Sequence, residues 1–564
     1  MRRTVLRGLA RCWPAEMEDR PTLRRALAFL DWEIDPDELL AASYAGALGL
    51  ATIGLLATVT VDGTGGIALS GACLVLGALA LGTARAVELV ARARRASALG
   101  AAPALLTRTT LRMQLTPAPE AAARFGADAT PGALADSLDG HVRRTANGPG
   151  SALASFAREW REWAPELERA CSLVETGAQE PAEDRRQTLR RARQAVLDGV
   201  HDRTAAFAAS IEGPTTALYA FGVLLPLSLV ALLPALSAAG VPVSLPVLVA
   251  VYDIALPGVV VAASGWLLAK RPVAFRSTPI PRSHPDVTTE RWHAAVAGLA
   301  VGGLVWTGAQ LILPRWLAAV AAAGGSIGTA LVVAFRPMQS VRERVEAVEK
   351  GLADGLALVG RRVKRGAATE HALDAVASEL PGATGDVFAT AARRQRRLGL
   401  TIEAAFTDEH GALATIPSDR AASGAALLAL SAREGRPAGE ALVTMSDHVE
   451  TLDEVQQESR RAVGQVTSTL SNTAAVFGPL VGGATVALTD AMGAGGPLGG
   501  SIAVDVLGLA IGCYVLVLAV VLTALATGLT HGMDRSLVGY RVGLAVLAAT
   551  ATYVAAVVGT GLLL

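Results

Sequence analysis

Apolar residues in this chain are gathered into about nine uninterrupted runs, and this distribution limits the possible folds more than any motif does. A helix needs about 20 consecutive apolar residues to cross a bilayer, and its backbone groups must be hydrogen-bonded within the segment. We therefore predict an all-α polytopic membrane protein with about nine transmembrane helices and two cytoplasmic helical-bundle modules. The predicted spans are Ala41–Thr60, Ile67–Val87, Thr215–Leu236, Leu245–Ala269, His293–Leu313, Trp316–Phe335, Ser471–Thr489, Ile502–Thr527 and Val542–Leu563.

The charged residues lie between these runs and indicate the orientation of the chain. Arginine is abundant in the first 25 residues and around the loop Pro272–Trp292, whereas the turns Val61–Gly66, Ser237–Ser244 and Asp490–Ser501 contain no Lys or Arg. Loops rich in Lys and Arg remain on the cytoplasmic side of a membrane. We therefore expect a cytoplasmic N-terminus and, after nine spans, a C-terminus outside the cytoplasmic membrane.

This layout divides the chain into six parts. They are a cytoplasmic N-terminal segment (1–40), a transmembrane hairpin (41–87), module 1 (88–214), four transmembrane helices with a cytoplasmic loop at 270–292 (215–335), module 2 (336–470) and three transmembrane helices (471–564). Both modules are predicted to be cytoplasmic.

A heptad-like stripe from Leu442 to Leu470 predicts a long amphipathic helix that continues into the span beginning at Ser471. Val455 and Gln456 lie near its middle and are candidates for coupling module 2 to the membrane. Gln456 and Ser459 interrupt the apolar stripe. They either weaken it enough for the helix to slide or simply face solvent.

Three short matches, in the same order in both halves, indicate an internal duplication. The matched pairs are Ser151–Phe156 with Thr401–Phe406, Val174–Gly177 with Ala432–Gly435, and Phe221–Leu224 with Phe477–Leu480. Each half therefore consists of a helical module, a long helix and membrane spans. Phe221, Gly222, Phe477 and Gly478 are candidate coupling residues where each module meets the membrane.

The chain lacks the motifs of an ATP-driven or metal-dependent enzyme. Only three of its 50 basic residues are lysine, and none follows the glycine pattern of a phosphate-binding loop. The four cysteines and eight histidines have no metal-binding spacing. We predict no cofactor, no bound metal and no enzymatic activity.

Two polar features leave alternatives open. Asp253 is the one clear acid inside a predicted span, and a polar contact between helices is favoured over catalysis. The arginines between Arg393 and Arg397 form either a solvated helix face or a protein-binding face. They lack the interleaved aromatic residues of a nucleic-acid binder, so no nucleic-acid partner is expected.

Two stretches of module 2 resemble the platform proteins of type II secretion systems, type IV pili and archaella, the type II secretion system F-domain family. Arg397–Ala405 is similar to the small-residue stretch of that family, and Glu434–Leu442 is similar to its later helical hairpin. The nine-span layout looks most like the archaeal members and their Tad-type relatives.

The resemblance implies a platform that binds a separate hexameric secretion ATPase and passes its conformational work to pilin-like subunits in the membrane lipid. It also implies a homodimer or higher oligomer. The residues given partner-binding roles are Arg393, Arg396, Arg397, Gly399, Glu403, Glu434, Gly435 and Arg436. The competing hypotheses are a secondary transporter with internal repeats and a membrane-anchored scaffold or sensor.

Overall fold

Helices account for every regular element that the structure contains. The structure is a computed structural model that describes residues 20–60, 80–145, 150–238, 248–271, 284–287, 291–434, 436–494 and 504–564, with isolated positions at 8, 13, 73, 77 and 280. Every regular element among these residues is a helix. The first three are α1 (Pro21–Phe29), α2 (Pro36–Thr60) and α3 (Thr83–Leu99).

Eight helical segments in the described part of the chain are long and apolar enough to cross a bilayer. They lie at Pro36–Leu56, Ala182–Val230, Ala250–Lys270, Trp292–Ala309, Arg315–Lys364, Leu442–Ala491, Val504–His531 and Arg535–Leu563. These segments correspond to eight of the nine predicted spans, and the ninth, Ile67–Val87, falls largely outside the described residues. The prediction of an all-helical membrane protein is therefore confirmed.

Module 1 is a bundle of six helices whose apolar faces share one core. Its helices are α4 (Ala102–Leu115), α5 (Pro119–Ala129), α6 (Ala133–Thr145), α7 (Ala152–Trp160), α8 (Pro165–Gln179) and α9 (Ala182–Tyr219). Ser151 caps α7, because its hydroxyl accepts a hydrogen bond of 3.1 Å from the backbone N–H of Ala154. Phe156 of α7 is fully buried in the core.

The membrane helices between the modules include two short π-helical turns. The elements are π1 (Ala220–Leu224), α10 (Leu225–Ala238), π2 (Ala250–Ala255), α11 (Leu256–Lys270), α12 (Arg291–Ala309) and α13 (Arg315–Lys350). Helix α13 runs from its membrane span into module 2 without a break, so the predicted boundary at residue 336 lies inside a helix.

Module 2 contains six helices in the same order as module 1. They are α14 (Leu352–Lys364), α15 (Thr369–Glu379), α16 (Gly382–Leu398), α17 (Ile402–Thr407), α18 (Asp419–Glu434) and α19 (Arg436–Asn472). Thr401 caps α17 in the way that Ser151 caps α7. Its hydroxyl accepts a hydrogen bond of 3.2 Å from the backbone N–H of Ala404. Phe406 is buried as Phe156 is. The two bundles therefore share one helix order, which agrees with the duplication that the short sequence matches predict.

The C-terminal membrane helices pack against the long helices that leave the modules. They are π3 (Thr473–Phe477), α20 (Gly478–Ala494), α21 (Val504–His531) and α22 (Arg535–Leu563). Tyr514 and Tyr553 are fully buried in the apolar core that these helices form with π1, α10 and α11.

Glycines allow two membrane helices to approach closely. A Cβ atom added at Gly302 of α12 would lie 2.8 Å from Cβ of Ser326 of α13, whereas one added at the neighbouring Gly303 would meet nothing within 4 Å. Small residues at such positions let backbones pack tightly in a membrane, where burial of apolar surface adds little.

The two modules contact each other directly. Two ion pairs join α9 of module 1 to α19 of module 2: Arg186 with Glu440 and His201 with Glu458, each at 3.5 Å. In addition, Arg108 of α4 donates a hydrogen bond to the hydroxyl of Ser423 of α18. These contacts place the two modules beside each other.

Candidate module–membrane junction

The last helix of each module enters the membrane through a π-helical turn. Helix α9 continues through π1 into α10, and α19 continues through π3 into α20. A π turn contains one residue more than the α-helical ladder accommodates, and such turns occur frequently at functional sites. We define the module–membrane junction as π1 and π3 with the residues that contact them.

A proline explains the position of each π turn. Pro226 and Pro479 each follow the last residue of their turn by two positions, and Pro257 stands in the same relation to π2. Proline has no N–H and its ring clashes with the carbonyl four residues earlier, which disturbs the α-helical ladder. Pro214 and Pro337 lie inside α9 and α13 without a π turn, so proline favours such a turn but does not require it. A wider turn just before the proline relieves that clash without ending the helix.

The four predicted junction residues show the same burial pattern in both halves. Phe221 and Phe477 point away from the protein, with exposed fractions of 66% and 56%, whereas Gly222 and Gly478 are buried. The outward phenylalanines lie on apolar helices, where the surrounding medium is lipid. The glycines face the interior of the helix bundle.

Both glycines are sites of close packing. A Cβ atom at Gly222 would lie 3.0 Å from Cγ2 of Val260, and one at Gly478 would lie 3.0 Å from the carbonyl oxygen of Thr473. The Gly478 position is also 3.8 Å from Cγ1 of Val223 in π1. Val223 of π1 therefore lies beside Gly478 at the start of α20, and α10 packs against α20, so the structure brings the ends of the two junctions together.

Two buried tyrosines complete the junction, and our sequence reasoning missed both. Tyr514 of α21 donates to the carbonyl oxygen of Gly222, and Tyr252 of π2 donates to that of Pro226 at 2.8 Å. Their rings meet edge to face, with centroids 5.8 Å apart. A tyrosine in an apolar span needs a hydrogen-bond partner, but the sequence does not show which carbonyl supplies it.

Gln456 of the α19 stripe is half-buried and faces α18 on one side. Arg420 of α18 donates to Oε1 of Gln456 at 2.7 Å and to Oδ1 of Asp453 at 2.6 Å. Val455 is half-buried beside this pair. Asp453 and Gln456 therefore help to hold α19 against α18, whereas the side chain of Ser459 lies outside the described residues.

Four of the predicted partner-binding residues, Arg393, Arg396, Arg397 and Gly399, lie at one exposed end of module 2. Arg393, Arg396 and Arg397 are exposed on the last turns of α16, and Gly399 ends that helix in the left-handed conformation at φ +63°. Arg396 pairs with Asp374, and Arg393 donates to the hydroxyl of Thr390 at 2.9 Å.

Glu403 of the first motif stretch forms an ion pair with Arg433, the residue just before the second stretch. Glu403 of α17 lies 3.1 Å from Arg433, the last basic residue of α18. Helix α18 ends at Glu434 and α19 begins at Arg436. Gly435 itself and the side chains of Glu434 and Arg436 lie outside the described residues.

The described residues contain no group of three His, Cys, Asp or Glu side chains that could hold a metal ion. Asp253 lies in π2 and is half-buried, and its Oδ1 atom has no hydrogen-bond partner in the described part of the chain. No protein-family model, curated protein or solved structure matches this chain.

Proposed function

We propose that this chain is the membrane platform of a type IV pilus-like or type II secretion-like machine. In this proposal a separate hexameric secretion ATPase binds the modules from the cytoplasm, and pilin-like subunits are lifted from the bilayer by motion of the spans. The platform has no catalytic activity of its own and works as a homodimer or higher oligomer in the cytoplasmic membrane.

One observation carries this proposal: both modules end in helices that continue into the membrane, and the two entry points pack on each other. Helices α9 and α19 are 38 and 37 residues long, or about 55 Å each. A displacement of either module is therefore transmitted to α10 or α20 through continuous backbone. Contact of α10 with α20, and of Val223 in π1 with Gly478, couples the two displacements.

The exposed end of module 2 supplies a docking face for the ATPase in this proposal. Leu398 is 67% exposed beside Arg393, Arg396 and Arg397, so an apolar residue is surrounded by positive charge. Interfaces commonly combine an apolar anchor with charged residues at the rim. The partner surface that fits this face is acidic.

The test is binding of the purified full-length protein in nanodiscs to a hexameric secretion ATPase of the same organism. The triple variant Arg393→Glu, Arg396→Glu, Arg397→Glu should bind more weakly, and the difference should grow at low salt, where exposed charges are less screened. Arg143→Glu, Arg144→Glu places the same reversal at the end of α6, the counterpart helix of module 1, as a control. Equal affinity of the triple variant and the wild type would contradict the assignment of this face.

A further inference from the structure

A basic cavity lies where module 1 meets the end of a membrane span. Its volume is about 330 Å³, and helices α3, α9 and α11 contribute most of its lining. Five of its eleven lining residues are Lys or Arg, and none is acidic: the basic ones are Arg92, Arg95, Arg203, Lys270 and Arg271. The size falls in the range of small-ligand sites.

Aromatic rings and backbone carbonyls hold the basic side chains of this cavity in place. The Arg95 guanidinium lies 4.7 Å from the ring centre of Phe29 and 4.6 Å from that of Trp163. Lys270 lies 3.8 Å from the ring centre of Trp266. Arg271 donates through Nε to the carbonyl oxygen of Leu529 at 2.8 Å. These contacts orient the cations without neutralising them.

Carboxylates compensate only part of this charge. Arg203 pairs with Glu166, and Arg92 lies 3.8 Å from Glu88. Within the described residues, Arg95, Lys270 and Arg271 have no carboxylate within ion-pair distance. The Nε atom of Arg95 is buried and has no hydrogen-bond partner there.

Partial burial makes the charges of Arg95 and Arg271 costly, whereas Lys270 is exposed. Desolvation lowers the pKa of Arg95, and it lowers the pKa of Arg271 to about 10, with a smaller contribution from Arg460. Both groups therefore remain charged near neutral pH. A buried charge without a partner is destabilising, and a bound anion removes that penalty.

We propose that this cavity binds a phosphate group, with Arg95, Lys270 and Arg271 as the principal ligands. Lys270 ends a span of 21 residues, so the cavity lies at the depth of the lipid headgroups. Basic pockets at this depth between helices are suited to anionic headgroups. The expected ligand is therefore the headgroup phosphate of an anionic phospholipid, and the other source with the same chemistry is free phosphate.

This assignment does not depend on the proposed platform function. A lipid bound here would touch α9, which leads to π1, and α11, which packs on Gly222. It would therefore connect the base of module 1 to the membrane core.

The experiment uses the full-length protein in detergent, titrated with phosphatidylglycerol and, separately, with phosphatidylcholine, and bound lipid is counted by native mass spectrometry. The variant Arg95→Gln, Lys270→Gln removes the charges of two of the three principal ligands without touching the carbonyl contacts of Arg271. Removal of each basic charge near an anionic lipid weakens binding roughly fivefold, so a loss of about thirtyfold is expected. Lys350→Gln, an exposed lysine elsewhere, is the matched control and should bind as the wild type does.

A second arm separates the two sources of phosphate. If the headgroup is the ligand, excess inorganic phosphate should leave phosphatidylglycerol bound. If free phosphate is the ligand, inorganic phosphate alone should raise the unfolding temperature of the lipid-free wild type, and not that of the double variant. The proposal is overturned if the double variant binds phosphatidylglycerol as tightly as Lys350→Gln does, or if phosphatidylcholine binds equally well.

Discussion

The hydroxyl of Tyr514 donates a hydrogen bond to the backbone carbonyl oxygen of Gly222, a residue 292 positions earlier in the chain. In an α-helix the Gly222 carbonyl would accept from the N–H of residue 226, but that residue is proline. A helix of the C-terminal half therefore stabilises a carbonyl group at the base of module 1. The contact links the two halves of the duplicated chain at the module–membrane junction.

Replacing Tyr514 with Phe should destabilise the protein by about 1–3 kcal/mol, because a buried carbonyl loses its hydroxyl donor. The measurement is thermal or denaturant unfolding of the purified protein in detergent. Tyr219→Phe is the control, since the Tyr219 hydroxyl has no hydrogen bond in the described part of the chain. Equal stability of Tyr514→Phe and Tyr219→Phe would show that the Gly222 carbonyl does not need this donor.

The sequence was sufficient to predict the spans because a membrane helix depends on local composition alone. Eight predicted spans have a counterpart in the structure, and the π turns also carry a local signal that we did not use. Pro226, Pro257 and Pro479 each stand inside an apolar run, where proline must disturb the hydrogen-bond ladder. The end of α18 and the start of α19 also have local signals. Glycine, as at position 435, commonly follows the end of a helix, and proline, as at position 437, is favoured in the first turn of a helix.

Contacts between residues distant in sequence could not be predicted. The periodicity of apolar residues identifies the buried face of a helix, but it does not show which helix packs against that face. Gln456 looked like a defect in an apolar stripe, yet it accepts a hydrogen bond from Arg420, 36 residues away. The basic cavity was missed for the same reason, since Arg95, Arg203 and Arg271 belong to three separate parts of the chain. Each of these residues alone resembles an ordinary charge flanking a span.

Close packing between α12 and α13 predicts different effects for two adjacent glycines. Gly302→Leu should destabilise the protein or prevent its accumulation in the membrane, because a Cβ atom there would lie 2.8 Å from Ser326. Gly303→Leu should be tolerated, since the space beside Gly303 is open. The two variants share the same change in helix propensity, so the difference in unfolding temperature isolates packing. Equal unfolding temperatures would mean that the two helices can separate at little cost.

A buried ion pair fixes α13 against the turn between α21 and α22. Arg342 pairs with Asp534, and the two side chains are only 8% and 10% exposed. Asp534 also caps α22, accepting from the backbone nitrogen of Ser536 at 2.8 Å. Arg342→Met should cost about 3–5 kcal/mol, because it leaves a buried carboxylate unpaired.

The double variant Arg342→Met, Asp534→Asn should recover part of that loss. Asparagine preserves the cap and removes the charge that Arg342 had neutralised. The measurement is the free energy of unfolding of both single variants and the double variant. The deviation from additivity gives the interaction energy between Arg342 and Asp534. Strict additivity would contradict a direct interaction between the two side chains.

Cys171 should be almost unreactive in the folded protein. Its side chain is buried in the core of module 1, and desolvation, with a smaller effect of Glu175, raises the pKa of its thiol to about 12. Because the thiolate is the nucleophile, only about one thiol in ten thousand is reactive at pH 8. In a background without the other cysteines, maleimide labelling followed by mass spectrometry should be slow at pH 8 and accelerate as pH rises toward 12.

The control for this labelling is Cys171→Ser, Ser172→Cys, which moves the thiol to the adjacent exposed position. Its pKa should be close to the ordinary value, so labelling should be fast at pH 8 and level off above pH 9. Equal labelling rates at the two positions would show that the core of module 1 opens readily.

The long helix α19 makes the most direct prediction about coupling, which rests on the proposed platform function. It is continuous from Arg436 to Asn472, and Val455 lies near its middle, beside the contacts of Arg420 with Asp453 and Gln456. Proline at position 455 removes an N–H donor and clashes with the carbonyl of Thr451, at a local cost of about 3 kcal/mol. The helix should kink at that point and no longer transmit displacement to α20.

We expect Val455→Pro to insert in the membrane and to bind the ATPase, because the exposed end of α16 lies elsewhere on module 2. Cells that carry it should form no surface filaments, and pilin-like subunits should accumulate in the membrane. Val455→Leu keeps an apolar side chain and a good helix former at the same position, so filaments should form normally. Electron microscopy and membrane fractionation provide the measurements. Normal filaments on cells with wild-type amounts of the proline variant would refute transmission through α19, whereas loss of ATPase binding would point instead to unfolding of module 2.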